Sequence, residues 1–572
     1  MKKIDLIRFF TILFFSILAF CMSTFLSFRI DLTQDKRFSL NTSTIKLLKN
    51  IQDPMLFTIY LDGDFPSGFQ RLKLESLRLL EEFRAENPNI KYILVNPSEN
   101  SDSQARRDTY TQLKNSGLSA IQIKVEEQDG VKEQQIFPGA IVSYQDKEWP
   151  VSLLMDQFAS NPEAQINASI QNLEYSLATS VKGLTDNYRR SIGILHGHDE
   201  LKPIETASLE LSLSKSYDVE HFNLREFPID TITGEPDLSK QVMQLNSFDL
   251  IILAKPKMYF SDLDRWLIDQ YLMNDGKCIL MLDAIYAEMD SLSYSPDFLA
   301  YPIISDLNLE DPLFSYGVKI NTRLIQDMVC ASLNDRKSIL PWVYFPLLLP
   351  QTDHPIAKNL NAIKMEFATS IDSVRVPGVK KTPLLFTSPY SRSQPMPGKV
   401  SLSTLYNKPT QSKFQEKGLI TAILLEDSIP SFYANRIAPK TSYRTPPAKA
   451  NNAKLLVISD GDFIRNQRNL IRSDIPRGAP LPLGFDQFTQ QQFGNSDFIQ
   501  NAIDYMLDSK GLIYVRGREV TLRLLDRQKI EKNKNLIIGT NLIAPAGVIL
   551  IFGIIFRILR KKGLLNSQNE TH

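Results

Sequence analysis

The chain has 572 residues, a formal net charge of +1 and three cysteines. That length allows about two to four domains, and the near-balanced charge leaves no basic surplus for displacing counterions from phosphates, so no nucleic-acid partner is expected. Three cysteines exclude a disulfide-framed scaffold.

Residues 1–8 form a short basic start with Lys2, Lys3 and Arg8, and residues 9–28, "FFTILFFSILAFCMSTFLSF", carry no charge. As a helix such a stretch rises about 30 Å, the thickness of a bilayer's hydrocarbon core. No A-x-A-like cleavage site follows it, and Phe20 stands where a lipoprotein signal needs a small residue before Cys21. An uncleaved anchor is therefore expected rather than a removed signal. Residues 29–51 end in "RFSLNTSTIKLLKNI", where Ser39 or Asn41 can cap a short helix with Ile45, Leu48 and Ile51 on one face. This reads as an amphipathic neck.

Residues 52–150 begin with the strand "PMLFTIYLDGDF" and the helix "RLKLESLRLLEEFRAEN", which places Leu74, Leu77, Leu80 and Phe83 at helical spacing and stops before Pro88. The strand "IKYILVNP", a helix near 101–115 and a hairpin in "SAIQIKVEEQDGVKEQQIFPGAIVSY" follow. The order β-α-β-α-β-β is thioredoxin-like in outline. The chain has no C-x-x-C, which excludes dithiol redox chemistry. Residues 151–187 carry a connecting helix with Ile166, Ile170, Leu173, Leu177 and Val181 on one side.

Residues 188–511 alternate strands and helices, which predicts a parallel sheet covered on both faces. Its strands are "SIGILHG", "VEHFNL", "FDLIILAKP", "GKCILMLDA" and, far downstream, "AKLLVISDGDFI". The last helix is "NSDFIQNAIDYMLDSKG". Between them, residues 320–450 are rich in proline and serine and read as an irregular insertion with long loops. Cys278, within "KCILML", is expected to pack as a small buried hydrophobe. A membrane-proximal segment, 512–535, precedes a second uncharged stretch, 536–556, and a tail, 557–572, with Arg557, Arg560, Lys561 and Lys562. The positive-inside rule puts both termini in the cytoplasm and the bulk of the chain on the other side. Gly539, Ala544, Ala546, Gly547 and Gly553 would let this second helix approach a neighbouring helix closely.

The chemistry is sparse. No G-x-x-x-x-G-K-[ST] loop exists to cradle a nucleotide's phosphates, so any ATP that drives this system is bound by another polypeptide. "ILHGHDE" places His196, His198, Asp199 and Glu200 at the carboxyl end of a strand. Two imidazoles and a carboxylate there could hold a metal. The plainer reading is a polar loop that turns at Gly197, leaving a non-catalytic ligand crevice where open α/β sheets bind their ligands. "DGDF" occurs at 62–65 and 460–463, each a good turn sequence as well as a D-x-D. Neither Cys278 nor Cys330 lies on an elbow of the kind that exposes a nucleophile, and G-x-S-x-G is absent. No catalytic residue, metal or cofactor is assigned.

Three long segments carry a family resemblance in order: "RFSLNTSTIKLLKNI", "YLDGDFPSGFQRLKLESLRLLEEFRAENPNIKYILVNP", and "SDGDFIRNQ" with the run from "LGFDQFTQQQFGNSDFIQ" to "TLRLLDRQKI". Together with both apolar ends, the chain resembles the gliding-motility-associated GldG family within the ABC-transporter auxiliary proteins of Bacteroidetes. The resemblance implies an inner-membrane subunit with a periplasmic body, working with a separate permease subunit and a cytoplasmic ATPase. It also implies that "ILHGHDE" heads a domain similar to flavodoxin-like and class I glutamine-amidotransferase-like folds, without the amidotransferase nucleophile. Two readings stand beside it: an envelope-tethered metal-dependent hydrolase using His196, His198 and Asp199, and a passive envelope scaffold.

Overall fold

The computed structural model describes Phe14, residues 39–516 apart from short internal stretches, and residues 533–569. The expected anchor at 9–28, its basic flank and most of the segment 512–535 lie outside the described residues. The chain divides into two units, Met1–Glu519 and Val520–His572.

The first unit opens with α1 (Thr42–Lys49), β1 (Met55–Ile59), α2 (Ser67–Glu86) and β2 (Ile90–Leu94), continuing to β3 (Gly139–Tyr144) and β4 (Lys147–Ser152). These strands form a sheet in the order β2-β1-β3-β4; β1 and β2 are parallel, and β3 is antiparallel to both β1 and β4. The expected hairpin exists, Ile121–Glu127 against Gly130–Ile136, but as a separate ribbon. The sheet's own antiparallel pair is β3 with β4, whose "KEWPVS" lacks a clean apolar alternation.

Two further expectations shift here. Asn41 does cap α1, its side chain accepting from the Ser43 amide at 2.9 Å, but the buried face of the helix carries Thr44 and Leu47 rather than Ile45. Leu47, Leu48 and Ile51 are buried, Asn87 donates to the Leu48 and Ile51 carbonyls at 2.8 Å each, and Glu174 takes the Asn41 amide and the Thr44 hydroxyl at 2.7 Å each. Along α2 the buried stripe is Leu72, Ser76, Leu79, Leu80 and Phe83, whereas Leu74 is 62% exposed. A leucine-rich helix offers two stripes. The one chosen brings Ser76 against the sheet, where its hydroxyl is satisfied by the Leu72 carbonyl at 2.8 Å.

The connecting helix α3 (Pro162–Thr185) leads to β5 (Ser191–His196), α4 (Pro203–Leu213), β6 (Asp218–Asn223) and α5 (Leu238–Leu245), a helix with no counterpart in the sequence reading. Then come β7 (Leu250–Ala254), α6 (Asp262–Met273) and β8 (Lys277–Met281). The region 320–450 is richer in strands than its composition suggests, and two of them, β9 (Val379–Phe386) and β10 (Ile420–Asp427), join the main sheet. Within β9, Pro383 falls beside a register shift, where a strand tolerates a missing amide. Elsewhere in the region Trp342, Tyr344, Phe345 and Phe367 pack into an aromatic core of their own. β11 (Ala453–Ile458) and α7 (Asn495–Leu507) complete the unit.

The main sheet runs β9-β10-β11-β8-β7-β5-β6. Its five strands β6, β5, β7, β8 and β11 are parallel, while β10 and β9 extend the sheet antiparallel. Because strands such as "LIILA" are buried on both faces, they are apolar throughout rather than alternating. Ile192, Leu250, Ile252 and Ile279 face α4 and α7; Leu195, Ile251, Leu253 and Leu280 face α5 and α6. The first of these cores continues through α3 into the four-stranded sheet without a break. Cys278 is buried and Cys330 half-buried, both as free thiols.

In the second unit α8 (Lys534–Asn569) contains a span, Ile538–Ile558, long and apolar enough to cross a membrane, with a mean hydropathy of 2.1. A Cβ added at Gly539, Gly547 or Gly553 would meet nothing within 4 Å.

Candidate functional site

Five parallel strands in the order β6-β5-β7-β8-β11 reverse direction of winding at β5, and the crevice beyond their carboxyl ends is where such sheets bind ligands. Four loops bring chemistry there: 196–200 after β5, Arg225 after β6, Lys255 after β7, and Asp283 after β8. The D-x-D of Asp460 and Asp462 follows β11.

The loop after β5 folds inward because Gly197 and Asp199 both adopt left-handed backbone, φ 121° and 54°. At Gly197 a Cβ would sit 2.8 Å from the Asn223 Oδ1. The inward turn buries His198, whose ring stacks on Phe260 with centroids 3.6 Å apart, and whose carbonyl accepts from the Lys257 and Met258 amides at 2.8 and 3.1 Å. His198 Nε2 lies 3.1 Å from Asp264 Oδ2, and Nδ1 lies 3.5 Å from Glu200 Oε1. Glu200 Oε2 takes the His198 amide at 2.7 Å. Burial works against a charge on His198, but hydrogen bonds and Coulomb attraction from Asp264 and Glu200 outweigh it and raise its pKa. Asp264 is held at about 2: burial opposes ionisation, and the His198 and Ser261 hydrogen bonds prevail.

His196 is turned the other way. Its Nε2 lies 2.5 Å from His221 Nδ1, and His221 Nε2 lies 3.1 Å from Glu210 Oε2. Sharing one proton between the imidazoles requires one of them to accept, and burial together with His221 lowers the pKa of His196. The structure therefore separates the residues of "HGHDE": His196 joins His221 and Glu210, His198 and Glu200 lie buried with Asp264, and Asp199 faces solvent. Among the described residues no three His, Cys, Asp or Glu side chains converge so as to hold a metal ion.

On the other side of β7, Lys255 is 3% exposed and its ammonium lies 2.5 Å from Asp462, 3.4 Å from Asp283 and 3.8 Å from Glu288. Asp283 also takes the Gly461 amide at 2.6 Å, and Asp460 takes the amides of Glu366 and Asp462 at 2.8 and 2.9 Å. Burial raises the pKa of Asp283 to about 6 against the pull of Lys255, and burial with repulsion from Asp283 and Asp462 raises that of Asp460. A Cβ at Gly461 would lie 2.8 Å from Lys255 Cγ, so glycine is needed there to admit the lysine. The space left beside this cluster, bounded by Lys364, Glu366 and Arg465, is about 50 Å³, enough for water but not for a substrate. Lysine occupies the place that a cation would take beside a D-x-D.

Sequence reasoning singled out the β5 loop and the second "DGDF" but missed Lys255, Asp264 and Asp283. Each directly follows a strand or opens the next helix, and that position at the carboxyl edge was the available signal.

Residues 189–502 match the family described as ABC-type uncharacterized transport system, and residues 34–143 match a domain of unknown function, DUF7088. An uncharacterized protein of Borreliella burgdorferi is 23% identical over 568 residues, covering 95% of this chain and 96% of its own length. Among solved structures, the mmIFT52 N-terminal domain matches 55% of this chain and 96% of its own at 13% identity, with a TM-score of 0.31. A putative thua-like protein from Parabacteroides merdae matches 59% and 92% at 10% identity, with a TM-score of 0.23.

Proposed function

The chain belongs to the ABC-type uncharacterized transport system family, and from that membership we propose that it is a non-catalytic auxiliary subunit of an ABC-type transporter. The observation that carries the non-catalytic reading is the state of the carboxyl-end crevice: the buried carboxylates of Glu200, Asp264, Asp283 and Asp462 are paired internally with His198, Arg225 and Lys255. A hydrolytic site keeps its charged groups open to substrate, whereas these act as struts. His196 and Asp199 remain on the outer side of the crevice, where a ligand or partner would meet them.

On this reading α8 and the apolar stretch at 9–28 anchor the chain in the inner membrane, with both termini cytoplasmic and the first unit periplasmic. The chain lacks a phosphate-binding loop, so a companion ATPase supplies the energy and a permease subunit the path. Gly539, Ala544, Ala546, Gly547 and Gly553 would seat permease helices. The strand order 2-1-3-4 supports naming the first domain thioredoxin-like, and the order 2-1-3-4-5 supports naming the second flavodoxin-like or amidotransferase-like. The link to gliding rests on the resemblance of the three long segments. Affinity purification of the full chain in a mild detergent tests the proposal: a permease and an ATPase should copurify in fixed ratio. Recovery of the chain alone, from cells that express the whole system, would defeat it.

A further inference from the structure

A second, larger cavity, about 350 Å³, lies at the opposite end of the same strands, beside the amino ends of β5 and β6. That volume is at the lower end of the ~300–1,000 Å³ of small-molecule sites. Its walls come from five parts of the chain: β4, the last turns of α3, the segment between α3 and β5, the α4–β6 junction, and α7 with the residues that follow it. The cavity thus spans the seam between the four-stranded sheet and the main sheet.

Its chemistry is specific. Trp149 and Tyr188 contribute ring surface, and Tyr188 is 66% exposed at the mouth. Deeper in, Asp504 accepts the hydroxyls of Tyr175 and Tyr217 at 2.7 and 2.5 Å, one on each carboxylate oxygen. Each oxygen keeps a second lone pair for a further donor. The cations of the lining are already engaged: Lys182 lies 3.9 Å from Asp508, Arg190 3.1 Å from Asp249 and Arg189 3.2 Å from Asp218. Arg516 donates to the Asn501 side chain and sits 5.8 Å over the Tyr175 ring. A charged ligand would have to compete with these pairs. A purely apolar one would strand the amides and carboxylates without partners.

We propose that this cavity is a binding site for a neutral, hydroxyl-rich ring compound, the chemistry of a saccharide unit, held by aromatic faces and by paired acids and amides. Bound there, it would bridge the two sheets and touch Arg516, from which the chain runs on toward α8. The inference stands on the cavity and does not depend on the transporter assignment.

The test uses the full chain in a detergent without a sugar headgroup, titrated with glucose, N-acetylglucosamine and maltose. Trp266 and Trp342 are fully buried, so Trp149 is the tryptophan placed to report binding by fluorescence. A saturable change is expected with at least one probe below ~10 mM. Gly183→Ala would put a methyl 2.5 Å from the Trp149 ring and push it into the cavity, which should weaken binding by about tenfold or more. Gln500→Leu, which replaces a lining amide without crowding, should weaken it as well. The proposal is overturned if folded protein gives neither a saturable signal nor a thermal shift with any of the three. It is equally overturned if glucose 6-phosphate or inorganic phosphate binds more tightly than every neutral probe.

Discussion

His198 Nε2 and Asp264 Oδ2 lie 3.1 Å apart, and that same oxygen takes the Ser261 amide and hydroxyl at 2.9 Å each and Arg225 Nη2 at 3.1 Å. Ser261 and Asp264 form the capping box of α6, so one carboxylate closes a helix and ties down the loops after β5 and β6. The geometry of the crevice is set by this shared anchor.

Replacing His198 leaves the buried Glu200 without its counter-charge and Asp264 with Arg225 alone, and His198→Ala should cost about 3–5 kcal/mol. The raised pKa of His198 gives the effect a pH dependence. Its contribution is fully present below the unfolded value of about 6.5 and is lost as the pH rises through the higher folded value. Thermal unfolding of wild type and His198→Gln should therefore differ most near pH ~5.5 and converge at alkaline pH. A gap that widens with rising pH would contradict the buried imidazolium.

Lys255 is the buried cation for Asp283, Asp462 and Glu288. Lys255→Met should destabilise by about 3–5 kcal/mol. Asp462→Asn in the Lys255→Met background should recover part of the loss, giving a coupling within the ~0.5–3 kcal/mol range of contacting pairs. Additive losses in the double-mutant cycle would show that the two groups act separately.

Burial pushes the thiol of Cys278 up strongly, and burial with Asp327 pushes that of Cys330 up to about 12. Since the thiolate is the reactive form, neither should be alkylated by iodoacetamide at pH ~8 in the folded protein, and both should react after denaturation. Peptide mass spectrometry reads this directly.

Gly193 in β5 faces Phe248, and a Cβ there would lie 2.9 Å from the ring. Gly193→Ala should overpack the sheet by about 1–3 kcal/mol. Phe248→Leu in the same chain should relieve the clash, so the double variant should melt above Gly193→Ala alone.

The proposed membrane attachment at two points makes a distinct forecast. Deleting residues 534–569 should leave the chain in the membrane fraction through 9–28, and removing both stretches should release it. A chain freed by the first deletion alone would show that the amino-terminal stretch is no anchor.

Much of the main sheet was legible, because doubly buried parallel strands such as "LIILA" are unbroken apolar runs. Less was legible where composition misleads. Four prolines between 320 and 450, Pro341, Pro346, Pro383 and Pro395, lie within real strands, and the leucines of α2 support two faces until the sheet selects one. The site shows the same division. His198 was visible as a polar residue after a strand, but its inward direction depends on Phe260 and Asp264, more than sixty residues away. A local motif carries no record of such a partner.

The main sheet is closed late by its own sequence. Lys277 pairs with Lys454, and the face of β5 is covered by α7, which ends only shortly before the second apolar stretch begins. A ribosome or an export channel releasing this polypeptide from its amino end would hold β5, β7 and β8 without their final neighbours until nearly all of the body had emerged. On the topology proposed above, the chain would stay threadable throughout its crossing and lock only when the last membrane segment arrives to stop it.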